Sequence, residues 1–186
     1  MPSAPYQMQA HTLDCVKGAW PGEHALEYRA RISANAKALI DPIPPGRVGY
    51  LNSDGEFELG LGTAAVMPLF IWPRSNDPDV ENYGGDPASE KFTFVSVMPH
   101  PDGNEALFLV GSGAYELAST EFDSGQSYAR NTFLTSGTST SAAGTLTPGT
   151  RGTHMCCGMV SRGIVDNGWK RDAICFWAFP VFPNVA

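Results

Sequence analysis

Few residues in this chain have types and spacings that could do chemistry. Gly60-Leu-Gly62-Thr-Ala-Ala65 matches the G-x-G-x-x-A turn that seats a dinucleotide pyrophosphate. That role needs a helix starting inside the turn, so that its free N–H groups face the phosphates. Val66-Met-Pro68-Leu-Phe follows instead, and Pro68 removes a backbone donor from any helix begun there. No βαβ spacing surrounds the motif. It reads as a strand end with a glycine turn, and no cofactor is expected.

Metal chemistry needs several ligands at chelating spacing. His11, Cys15 and His24 are near neighbours in sequence, and His154 precedes Cys156 and Cys157, but neither group matches a zinc pattern and there is no H-E-x-x-H. Adjacent residues on a strand face opposite sides, so Cys156 and Cys157 cannot both reach one ion. The acidic run from Asn76 to Glu81 lacks the alternating oxygens and the glycine of an EF-hand and reads as a solvated loop. No metal site is expected. The N-terminal run Met1-Pro-Ser-Ala-Pro-Tyr6 shows neither a basic n-region nor an apolar h-region, so a chain made in a cytoplasm is expected, with Cys15, Cys156, Cys157 and Cys175 as free thiols.

Nucleophilic catalysis has no G-x-S-x-G elbow to stand on. Ser161 lies in a strand-like context, and His100 sits between Pro99 and Pro101 as part of a rigid turn. Glu121 and Asp123 are an acid pair in reach of acid–base work, but solvated loops carry such pairs routinely. The chain is therefore expected not to be an enzyme. With 12 basic and 19 acidic residues and a net charge of −7, it is a poor nucleic-acid binder, because phosphate neutralisation supplies most of that affinity. The longest apolar run, Ala64 to Trp72, contains Pro68 and is too short to span a bilayer, so no membrane partner is expected.

The elements that would position these residues are mostly strands. The 186 residues include 20 glycines and 15 prolines without a repeat period, which punctuate apolar runs as turns. Residues 1–23, with Pro2, Pro5 and Pro21 and little periodicity, read as an extended N-terminal arm, and residues 24–186 as a single β-rich domain. Leu26, Tyr28, Ala30 and Ile32 alternate with charged residues, a strand pattern, and Ser33 to Ile40 adds a short helical turn before Pro42, Pro44 and Pro45. Strands are expected at 48–51, 57–61, 66–72, 92–98, 106–110 and 114–117. Residues 73–91 read as a long polar loop, and the Thr/Ser/Gly/Ala-rich stretch 135–150 as a low-complexity loop, either mobile or pinned by a partner. His154–Val165 and Trp169–Phe179 flank Asp166-Asn167-Gly168, a hairpin signature. The run Ala173-Ile-Cys-Phe-Trp-Ala-Phe179 is apolar on both faces and reads as a central, doubly covered strand. The fold class is mainly β: an antiparallel β-sandwich or small β-barrel with an extended arm and long loops.

Phe92, Phe94, Phe108, Phe133, Phe176, Trp177, Phe179 and Phe182 fit strand spacing and mostly read as core. Tyr6, Trp20, Trp72 and Trp169 sit near arms or turns. With Trp177 they are the candidate contact anchors, since Trp and Tyr are enriched at interfaces.

The runs Tyr115-Glu-Leu-Ala-Ser-Thr-Glu-Phe-Asp123, Tyr128-Ala-Arg-Asn131, Leu134-Thr135, Gly144-Thr-Leu146-Thr147, Gly158-Met-Val160-Ser161-Arg162-Gly163-Ile-Val165 and Ile174-Cys-Phe176-Trp177 together resemble a family of tailed-bacteriophage head decoration (cement) proteins. The resemblance covers about residues 110–180. It implies a virion structural protein on the capsid exterior, bound to the major capsid protein, self-associating as a trimer or dimer, and stiffening the shell by bridging neighbouring subunits. The major capsid protein itself would need a longer chain and a long spine helix. Two other readings of the same residues are a virion β-module that binds host glycan or receptor, and another head or tail structural component.

Overall fold

Short β-forming runs become eleven strands and one six-residue helix in the computed structural model, which describes residues 13–17, 27–40, 43–44, 46–72, 105–110, 116–166 and 172–184. The strands are β1 (Leu13–Lys17), β2 (Glu27–Arg31), β3 (Val48–Leu51), β4 (Phe57–Leu59), β5 (Leu69–Trp72), β6 (Glu105–Val110), β7 (Glu116–Ser119), β8 (Phe133–Ser136), β9 (Leu146–Gly149), β10 (Cys156–Asp166) and β11 (Asp172–Val181). They form a six-stranded sheet, β1-β7-β11-β10-β8-β9, and a five-stranded sheet, β2-β6-β5-β3-β4. Every strand pairing is antiparallel. Neither sheet closes on itself among the described residues, so the architecture is sandwich-like rather than a barrel.

The period of two along each strand decides where the core lies. Ile174 and Phe176 of β11 and Leu117 of β7 meet Val48 of β3 and Phe70 of β5 in one buried cluster between the sheets. The Phe70 and Phe176 rings pack 5.5 Å apart. Each such ring contributes roughly 1.5–3 kcal/mol through removal from water. On the five-stranded sheet, Leu69 and Ile71 point the other way, into a second cluster with Phe57, Leu59, Ala36 and Ala143. That sheet is therefore covered on both faces. Its outer cover includes the helix α1 (Ala34–Leu39), whose N-cap Ser33 accepts a hydrogen bond from the Ala36 N–H at 3.0 Å. The Ser33 N–H donates to the Phe57 carbonyl, tying the helix to β4.

The expected central strand is β11, flanked by β7 and β10, with Ile174, Phe176 and Ala178 in the core and Ala173 and Cys175 buried on the opposite face. The strand expected over 66–72 begins only at Leu69: Pro68 lacks the N–H a ladder needs. The strand expected over 114–117 runs Glu116–Ser119. Phe182, expected in the core, is 49% exposed because it lies beyond the end of β11. Stretch 135–150 is not a single loop. It holds the end of β8, a tight connection and β9, in an antiparallel hairpin. Of the expected arm, Leu13–Lys17 pairs as an edge strand with β7, and the rest lies outside the described residues. So do the expected loop 73–91, the strand 92–98, His100 and the Asn167-Gly168 turn.

Candidate interaction surfaces

On the outer face of the six-stranded sheet, Trp177 of β11 stands between Glu116 of β7 and Met159 of β10 in the register of the ladder. Trp177 and Met159 are half-buried. The ladder breaks after Val160. Ser161 and Arg162 bulge out of β10 before Gly163, at φ +80°, pairs again with Cys175. A bulge re-aims side chains that a regular strand would send to alternate faces.

Here it directs both Ser161 and Arg162 across β11 toward Glu116, over about two strand spacings of roughly 4.8 Å each. The Ser161 hydroxyl donates to Glu116 Oε1 at 2.6 Å, Arg162 Nε donates to the same oxygen at 2.9 Å, and Arg162 Nη2 donates to Oε2 at 3.1 Å. Glu116 is buried, whereas the Arg162 side chain is 43% exposed. The carboxylate thus holds a planar fork in one orientation at the surface. Its hydrogen bonds push the Arg162 guanidinium further up from an already high value. The Cys175 thiol lies beside this pair, buried, and burial pushes it up from its ordinary value, with Arg162 acting the other way. A thiol so shifted is a poor nucleophile.

A second region lies at the β8–β9 connection, where the end of the six-stranded sheet packs against the five-stranded one. Arg47 Nη1 donates to the carbonyls of Ser141 at 2.9 Å and Ala143 at 2.8 Å, while its Nε donates to Glu121 Oε2 at 2.6 Å. Ala143 is fully buried on the outer side of the five-stranded sheet. The Val48 N–H donates to the Gly144 carbonyl, and the Gly144 N–H donates to the Gly137 carbonyl and closes the loop. Gly60, at φ +87°, lies so close under this loop that a Cβ there would overlap the Gly137 carbonyl oxygen. The N–H groups of Leu61 and Gly62 donate to the Ser136 carbonyl. The glycines of the nucleotide-like motif thus serve a backbone crossing between the two sheets. The loop tip, Gly137 to Ala142, is exposed, and Thr140 holds φ +68°. For a β-branched residue this is an outlier that costs about 1–3 kcal/mol.

The other candidates of the sequence have local roles. Glu121 and Asp123 do not act as a pair: Glu121 binds Arg47, and Asp123 Oδ1 accepts from the Gly125 N–H in a turn. The Tyr128 hydroxyl lies within hydrogen-bond reach of the Asp123 carbonyl at 2.8 Å and the Leu146 carbonyl at 3.1 Å. Burial and the Asp123 charge push its pKa up to about 12. His154 Nδ1 accepts from the Thr150 N–H. Cys157 faces the core and its thiol donates to the Leu134 carbonyl, while the Cys156 thiol donates to the His154 carbonyl. Burial pushes both thiols up. Among the described residues, no three His, Cys, Asp or Glu side chains come together as a metal site. Among the same residues, no helix is long and apolar enough to cross a membrane.

Of the five aromatic anchors, Trp177 falls on the outer face described above. Trp72 lies on β5 of the other sheet, opposite Leu107, and Tyr6, Trp20 and Trp169 lie outside the described residues. Glu116 and Arg162 escaped sequence reasoning because 46 residues separate them and no spacing rule links two strands across a third. No family model, curated protein or solved structure matches the chain.

Proposed function

We propose that this chain is a non-enzymatic virion structural protein that binds the outer surface of a tailed-phage capsid and stabilises it by bridging neighbouring capsid subunits. The observation that carries the proposal is the surface formed by Trp177, Met159 and the clamped Arg162. Aromatic residues, Met and Arg are the types that concentrate binding energy at protein interfaces. Arg162 is held in place before any partner arrives, so less side-chain entropy is lost on binding. The resemblance of residues 110–180 to head decoration proteins supports the same reading, with the major capsid protein as partner and self-association as a trimer or dimer. Many copies on one shell would convert modest site affinity into stable coverage. Residues 1–23 would add to this through Leu13–Lys17, the edge strand of the six-stranded sheet, whose outer edge could take a strand of the capsid.

The test is co-sedimentation and negative-stain imaging of the purified protein with empty phage heads lacking it. Saturable coating of the heads and a higher head rupture temperature are expected. Trp177→Ala should weaken coating about tenfold, or roughly 1.4 kcal/mol, without a matching loss of folding stability. Absence of coating by the parent chain sinks the proposal. Undiminished coating by a chain lacking residues 1–23 removes the arm from it.

A further inference from the structure

No further inference is drawn: the strongest candidate, the half-buried row of Phe133, Met159 and Trp177 beside the clamped Arg162 on the outer face of the six-stranded sheet, belongs to the surface already described, and nothing in the structure shows what covers it.

Discussion

Two Arg–Glu pairs organise separate regions of this sandwich, and they differ in what surrounds the arginine. Arg47 and Glu121 are both largely shielded, at 11% and 18% side-chain exposure, and Arg47 also ties down two loop carbonyls. The chain itself accounts for that pair: it links the β8–β9 connection to the start of β3. Arg162 and Glu116 are asymmetric, with a buried carboxylate and a guanidinium 43% open to solvent. Sheet order does not require this second pair, and the bulge that makes it interrupts an otherwise regular ladder. A buried carboxylate is costly unless paired. The second pair therefore fits a role in presenting Arg162 at the surface, whereas the first pair fits a role in holding the fold.

The comparison breaks if the two arginines prove equally important to folding. Arg47→Ala should be the most damaging change, at about 2–4 kcal/mol, because it orphans a shielded carboxylate and frees two carbonyls at once. Urea denaturation measures it, and hydrogen exchange in the β8–β9 connection should accelerate with it.

Alkaline pH probes the same region. Tyr128, beside the Asp123 turn and β9, has a folded pKa of about 12 against an ordinary 10.0. Above pH 10 the unfolded chain loses this proton while the folded chain keeps it, so ionisation favours unfolding. The stabilisation is complete below pH 10 and is lost as pH rises toward 12, at most about 2–3 kcal/mol. Denaturation midpoints from pH 9 to 12, followed with tyrosinate absorbance, check the sign and the window.

The smallest effect on stability is expected at the other pair. Arg162→Ala should cost about 1–2 kcal/mol, because the buried Glu116 carboxylate loses this charge partner but keeps the Ser161 hydroxyl, and the arginine removed is itself 43% exposed. Its sharper signature is chemical. Cys175 should alkylate several-fold more slowly once the guanidinium that favours its thiolate is gone and the Glu116 charge remains, while Cys157 stays protected in the core in both chains. Peptide mass spectrometry distinguishes the two thiols. A loss of stability equal to that of Arg47→Ala would erase the distinction between the two regions.

Much of the fold was legible because it follows from local rules. Alternation at Tyr28, Ala30 and Ile32 marks β2, Ser33 caps α1, and Asn52 to Gly55 turns β3 into β4. The doubly apolar run from Ala173 to Phe179 announced a central strand. The Thr/Ser-rich stretch misled because its hairpin depends on partners far away. Arg47 reaches the Ser141 carbonyl across 94 residues, and no composition rule foretells that.

The sequence by itself determined the β class, most strand positions and the thiol pair facing opposite sides. These follow from periods of two, from turn residues and from the donors a proline lacks. Only the tertiary structure decided which side chains meet. A bulge after Val160 brought Ser161 and Arg162 to Glu116, a crossing at Gly60 seated a loop, and strand order put Trp177 beside the clamped arginine. The physical reason is distance along the chain: contacts between strands are set by register and sheet order, which no short window of sequence contains.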